Sequence, residues 1–194
     1  VAAAHVLILV VSKDLGSAVV FFVAYIVMLY VATKKARYAL AGLAGGTLAA
    51  VVAYFLFNHV RQRVIVWQDP IAVYDKVGGG YQVAQGLFGI SAGGWFGMGL
   101  GKGMPNIIPV VDKDFIFAAI CEELGAIFAI CMLLVCMSCY LMIVNVSMRM
   151  SKPFYKLIAM GLGAEYAFQV FLTIGGVTKF IPSTGVTLPL VSYG

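Results

Sequence analysis

Long apolar runs with few charges alternate with short basic connections along this chain. At about 20 residues for each bilayer crossing, the pattern predicts four whole membrane helices and the end of a fifth. A segment of intermediate polarity, 60–113, separates the second and third whole helices and is too long for a simple connection. We therefore expect an all-α, polytopic transmembrane helix bundle with a long functional loop. The predicted helices cover 1–12, 15–33, 38–59, 114–148 and 157–181.

The two short connections carry the charge that orients the bundle. Basic residues collect at 34–37 and at 149–156, and neither stretch contains an acid. By the positive-inside rule both connections are cytoplasmic. The long loop 60–113 and the final segment 182–194, each one crossing away, are then expected to be extracellular.

The composition supports this class and excludes others. Hydrophobic residues make up 62% of the chain, charged residues 11%, and the mean hydropathy is +1.00, outside the range of soluble domains. The net charge of +5 reflects the basic connections, so nucleic-acid binding is not expected. The chain begins at Val1 within an apolar stretch and stops at Gly194 after a loop-like string. We therefore expect a single integral membrane domain over 1–194, truncated at both ends.

The long loop contains a glycine-rich part, 78–103, with eleven glycines and interspersed aromatic residues such as Trp95 and Phe96. Such a segment is expected to lie on or dip into the outer leaflet, with its aromatic rings at headgroup depth. The string G-M-G-L-G-K-G lacks the glycine and the Ser or Thr that a phosphate-binding loop requires. Two interpretations of Lys102 stay open, a flexible loop residue and a diphosphate contact.

Two further cations, Arg61 and Arg63, follow the predicted helix 38–59. Arginine near a helix end often extends its charged group to the membrane interface. Paired guanidinium groups also suit phosphate oxygens. The sequence leaves both interpretations open.

Acids mark the predicted helix 114–148. Asp114 stands where the loop meets this helix, so it can cap the helix, act as a reactive acid, or do both. Glu122 and Glu123 lie about 12 Å further along at 1.5 Å per residue. At that depth they are expected to face the bundle interior and support Asp114 or a polar cavity, or to form structural hydrogen bonds. Glu165 is also expected inside a span, with Gln169 as a local partner.

Several strings, taken together, resemble one family. S-K-D-L-G-S (12–17), G-G-G-Y-Q-V-A-Q (78–85), G-M-G-L-G (97–101), D-F-I-F-A-A-I-C-E-E-L-G (114–125) and I-P-S-T-G-V-T-L-P-L-V-S-Y-G (181–194) occur in the order of the SEDS family of shape, elongation, division and sporulation glycosyltransferases. The chain resembles the C-terminal two thirds of its ten-span fold. The family's essential loop aspartate falls on Asp114. The other strings contribute candidate supporting residues, namely Asp14, Gln82, Gln85, Glu122, Glu123, Ser183 and Thr184.

The resemblance implies an enzyme that polymerises lipid II into peptidoglycan strands at the outer face of the bacterial cytoplasmic membrane. It also implies a class B penicillin-binding protein as partner, besides membrane lipids. The residues before Asp114 depart from the family pattern, because P-V-V-D-K-D stands where the family usually has P-E-A-H-T-D. Lys113, in place of the threonine, is expected to lower the pKa of Asp114 by charge proximity.

The mechanism expected from this resemblance is an inverting glycosyl transfer with Asp114 as general base. The candidate diphosphate contacts are Arg61, Arg63, Lys102 and Lys113. A divalent cation bridging the diphosphate is compatible with this mechanism, although the sequence shows no protein metal cage. Two alternatives stay open, a lipid II flippase that uses buried glutamates and a non-catalytic scaffold of the cell-wall machinery. The sequence does not distinguish elongation, division and sporulation.

Overall fold

The computed structural model describes residues 14–75 and 80–193, so the predicted helix end over 1–12 lies outside the described residues. Within the described part all regular structure is helical, and four helices are long and apolar enough to cross a membrane. The predicted all-α, multi-span class is therefore confirmed. The helices are α1 (Leu15–Thr33), α2 (Ala36–Leu56), α3 (Asn58–Gln68), α4 (Gly80–Gly93), α5 (Ile116–Arg149) and α6 (Pro153–Val177), with a short 3-10 helix at Pro105–Ile107. The four candidate spans are α1, α2, α5 and α6.

The boundaries differ from the prediction at two informative places. The helix predicted over 38–59 ends at Leu56, where the extended backbone of Phe57 (φ −113°, ψ 112°) separates α2 from α3. The helix predicted over 157–181 covers Pro153–Val177 instead. Proline suits the first helical turn, where its missing N–H group has no partner to lose. The predicted loop 60–113 also contains α4 and most of α3, so it is largely folded.

The described chain forms two compact units. One comprises the residues up to Phe57 together with Cys136–Phe168, and the other comprises Asn58–Val135 together with Gln169–Gly194. In the first unit α1 and α2 pack together, and a cavity of about 210 Å³ lies between α1 and α6. Glu165, predicted inside a span, lines this cavity beside Tyr25.

The core of the second unit positions α4 against the start of α5. Phe115 and Val83 are almost fully buried there. A Cβ atom on Gly86 would lie 2.6 Å from Cδ1 of Phe115, so only glycine allows α4 to approach this ring so closely. This packing brings Gln82, one turn before Gly86, beside the residue that precedes Phe115.

A break in α5 receives part of the glycine-rich segment. Gly125 has φ 84° and ψ 170°, a conformation that glycine adopts readily and other residues do not. The chain before the break offers carbonyl groups to the segment: Met98 N donates to Glu122 O at 2.9 Å and Gly99 N to Glu123 O at 3.0 Å. These bonds satisfy peptide groups that a helix break would otherwise leave unpaired.

After the break, N–H groups of α5 donate to carbonyl groups of the glycine-rich segment. Ala126 N donates to Gly94 O at 2.9 Å and Ile127 N to Trp95 O at 3.2 Å. Residues 94–104, called the docked segment below, are therefore held to α5 through main-chain hydrogen bonds on both sides of Gly125.

Candidate active site

The second unit contains a cavity of about 270 Å³ with Asp114 in its wall. The lining comes from α3, α4, the turn before α5, and the end of α6 with the segment after it. Its polar and aromatic side chains belong to Arg63, Trp67, Gln82, Asp114, Lys179 and Ser183.

Asp114 is partly buried and lies close to an amide group of α4. Gln82 Nε2 is 3.5 Å from Asp114 Oδ1 and donates to Pro109 O at 3.1 Å. The first residue of α5 is Ile116, and Phe115 O accepts from Ala118 N at 2.9 Å. Phe115 therefore occupies the cap position, so capping of this helix, one of the roles left open for Asp114, is not the one observed. Asp114 lines the cavity instead.

Burial raises the pKa of Asp114 above its ordinary value. Its own backbone N–H group and the charges of Arg63 and Lys113 act in the opposite direction, and Asp112 adds to the increase. Lys113 was expected to lower the pKa, and it does contribute in that sense. The expected net direction is wrong, because the desolvation of a partly buried carboxylate outweighs the nearby cations.

The structure separates the four cations that were expected to contact a diphosphate. Arg63 lines the cavity, and its Nη1 donates to Ser183 O at 3.0 Å. Arg61 and Lys102 are exposed and lie outside the cavity lining. Lys113 is also exposed, and its carbonyl oxygen accepts a hydrogen bond from Ser192 Oγ at 2.5 Å.

Lys179 is a cation of the cavity that the sequence interpretation missed. It was assigned to the end of a membrane helix, but α6 ends at Val177 and the chain turns there. Lys179 has φ 61°, in the left-handed region, and its carbonyl oxygen accepts from Trp67 Nε1 at 3.1 Å. A usable signal was its position two residues before the string I-P-S-T-G, whose proline and glycine favour an interrupted span.

The two glutamates of α5 do not support Asp114. Glu122 Oε1 accepts from Met104 N at 2.8 Å, and Glu123 Oε1 accepts from Gly101 N at 3.1 Å. Of the interpretations left open, structural hydrogen bonding is the one observed. Both carboxyl groups hold the docked segment.

Asp14 and Gln85, two further candidates, form hydrogen bonds outside the cavity, and a third candidate, Thr184, is buried. Asp14 caps α1, since its Oδ1 accepts from Ser17 N at 3.1 Å. Gln85 Nε2 donates to Tyr74 Oη at 2.7 Å. The hydroxyl oxygen of Thr184 is buried without a hydrogen-bond partner in the described residues.

The segment after α6 is held by the same helix. Gln169, expected to pair with Glu165, donates instead from Nε2 to Thr187 O at 3.0 Å. Thr173 Oγ1 lies 2.9 Å from Val186 O and is hydrogen-bonded to it. These bonds fix the backbone that presents Ser183 to the cavity.

The site thus combines a partly buried carboxyl group with a raised pKa and two cations in one open cavity. Such a carboxylate can take a proton from a hydroxyl group while cations stabilise an anion nearby. Together with the four spanning helices, the site defines a multi-pass membrane protein with a polar cavity at the start of one span.

Comparison with known proteins then gives the family. The family profile described as cell cycle protein, of the FtsW, RodA and SpoVE type, matches residues 1–194. The chain belongs to this family, which is the SEDS family indicated by its motifs.

Curated relatives agree over nearly the whole chain. The peptidoglycan glycosyltransferase RodA of Mycobacterium tuberculosis (strain ATCC 25618 / H37Rv) is 40% identical over 187 residues, covering 96% of this chain and 39% of the relative. The probable peptidoglycan glycosyltransferase FtsW of Aliivibrio salmonicida is 34% identical over 196 residues, covering 96% and 47%. The chain therefore spans less than half the length of these relatives.

A solved structure shares the fold. A chain from a peptidoglycan synthase complex that coordinates polymerization and crosslinking has a TM-score of 0.79 and 26% sequence identity. The match covers 100% of this chain and 54% of that chain.

Proposed function

We propose that the protein containing this chain is a peptidoglycan glycosyltransferase that polymerises lipid II. The observation that carries the proposal is the placement of Asp114, partly buried in a cavity that also contains Arg63 and Lys179. Family membership and the names of the relatives support the same activity.

In the proposed reaction Asp114 is the general base. Its carboxylate takes the proton from the hydroxyl group of the acceptor sugar as that oxygen attacks the anomeric carbon of the donor. The bond from that carbon to the undecaprenyl diphosphate breaks, and the diphosphate leaves with the electron pair. A direct displacement of this kind inverts the anomeric configuration. The raised pKa of Asp114 suits the role, because a stronger base accepts a proton more readily.

Arg63 and Lys179 are the proposed contacts of the leaving diphosphate. Both line the cavity, and a cation placed where negative charge develops stabilises the transition state. The proposal thus keeps Arg63 from the four candidates given by the sequence and adds Lys179. Arg61, Lys102 and Lys113 are assigned to the protein surface.

The proposed location is the outer face of the bacterial cytoplasmic membrane. The basic connections at 34–37 and 149–156 favour a cytoplasmic position for these ends, which supports an outer position for the cavity. A class B penicillin-binding protein is the proposed partner. This partner is supported by the related chain from a complex that couples polymerization to crosslinking.

The flippase alternative is weakened by the glutamates. It depended on Glu122, Glu123 and Glu165 as buried acids along a lipid path. Glu122 and Glu123 are bound to backbone N–H groups of the docked segment. Glu165 lines a cavity of the first unit, apart from the cavity that contains Asp114 in its wall.

One experiment separates the three functions. The purified full-length protein, reconstituted in liposomes with its partner, is given labelled lipid II. Glycan polymer is the expected product, whereas translocation of lipid II without polymer would identify a flippase. A protein that produces neither, although it binds its partner, would be a scaffold, and the proposal would be wrong.

A further inference from the structure

The docked segment presents a concentrated apolar surface. Trp95 is 67% exposed, Phe96 85%, Leu100 78% and Met104 67%. Large apolar side chains grouped in this way mark a surface that contacts a partner or a lipid phase. The catalytic proposal does not use any of them.

This surface belongs to a folded segment. The main-chain bonds on both sides of Gly125 hold its first half, and the carboxyl groups of Glu122 and Glu123 bind the N–H groups of Met104 and Gly101. The segment therefore directs many of its peptide groups towards α5 and leaves its apolar side chains outside. A backbone with its polar groups satisfied internally can sit at the edge of a membrane at low cost.

The helix to which the segment is bound relates it to the membrane. From Ala126 to Arg149, α5 is about 36 Å long at 1.5 Å per residue, enough to cross a hydrocarbon core of about 30 Å. The docked segment is bonded to Ala126 and Ile127, the first two residues of this stretch. Immediately after the break α5 exposes Ile127 and Phe128, which belong to the spanning part. The docked segment thus adjoins the start of a candidate membrane span, where exposed apolar side chains suit contact with lipid.

The amino-acid composition of the docked segment also suits the membrane interface. Tryptophan favours the membrane interface, and the range 94–104 has one charged residue, the exposed Lys102. The cores of protein interfaces, by contrast, are depleted in lysine.

We propose that the docked segment is a membrane-surface anchor. It inserts Trp95, Phe96, Leu100 and Met104 among the headgroups of the leaflet nearest the active-site cavity, with Lys102 beside the lipid phosphates. The anchor would hold the break of α5, and with it the folded part of 60–113, at a fixed height above the hydrocarbon core.

Fluorescence of Trp95 tests this proposal directly. The full-length protein, with its other tryptophans replaced by phenylalanine, is placed in phosphatidylcholine nanodiscs. Quenching is measured with phosphatidylcholine that carries a spin label near the headgroup, with the same lipid labelled near the chain end, and with iodide in the water. We expect blue-shifted emission and the strongest quenching by the headgroup label. The paired substitution Phe96→Ser and Leu100→Ser should shift Trp95 towards quenching by iodide.

Three results would overturn the proposal. Strong quenching by iodide in the unmodified segment would show that Trp95 faces water. Protection from every quencher without a partner would show that the rest of the full-length protein covers it. Protection from iodide that develops only when the penicillin-binding protein is added would identify a protein-binding surface.

Discussion

Gly97 lies where the docked segment contacts α5 and has no room for a side chain. Its φ is +79°, and a Cβ atom there would lie 2.2 Å from Glu123 O and 2.7 Å from Gly125 N. Gly101 is a matched control in the same segment. Its φ is +72°, but a Cβ atom there would meet nothing within 4 Å.

The difference in docking free energy between the two alanine variants follows from these contacts. An alanine in the left-handed region costs about 1–2 kcal/mol at either position. At Gly97 the contact also forces the chain to move, which breaks the bonds from Met98 N and Gly99 N to α5. Each of these bonds is worth about 0.5–1.5 kcal/mol. We therefore expect Gly97→Ala to weaken the docking by about 1–3 kcal/mol more than Gly101→Ala does.

Hydrogen exchange followed by mass spectrometry measures this difference in the full-length protein. The peptide covering the docked segment should exchange about 5- to 150-fold faster in Gly97→Ala than in Gly101→Ala, since about 1.4 kcal/mol corresponds to a factor of ten. Equal rates in the two variants would refute the close contact at Gly97 and the docking geometry with it.

The other predictions concern the cavity and the orientation. Arg63→Gln should move the acid limb of the pH–rate profile to higher pH. The base must be deprotonated to act, and the loss of this cation raises the pKa of Asp114 further. An equal shift in Arg61→Gln would contradict this explanation. Lys179→Gln should raise the lipid II concentration needed for half-maximal rate and Lys179→Arg should restore it, whereas equal losses would indicate a purely structural residue. A cysteine placed at Arg61 should react with an impermeant reagent outside the cell and one at Lys35 should not; the reverse result would invert the membrane orientation.

The spans could be predicted because the bilayer imposes one requirement on the sequence. About 20 apolar residues are needed for each crossing, and the runs that contain α1, α2, α5 and α6 meet it. The helix ends were less accurate, since an apolar run does not show where the backbone turns. Lys179 was not recognised as a site residue, because its apolar neighbours extended the predicted helix past Val177.

The geometry of the site could be predicted only in part, because it depends on contacts between residues that are far apart in the sequence. Asp114 could be selected from its motif and its place before a span. The net direction of its pKa shift could not, because the adjacent Lys113 is visible in the sequence and burial by the folded unit is not. For Glu122 and Glu123, the depth along a straight helix left support of the site and structural hydrogen bonding both open. The break at Gly125 provides their actual partners, since it brings the docked segment to them.

The substitution Asp114→Asn is the decisive test of Asp114 as the general base of lipid II polymerisation. Asparagine keeps the shape of the side chain but cannot accept the proton. We expect the full-length variant to fold and bind its partner while its polymerisation rate falls by about 10²–10⁴. Asp112→Asn, an exposed acid two residues away, should stay largely active. A near wild-type rate of glycan polymerisation in Asp114→Asn would contradict the account.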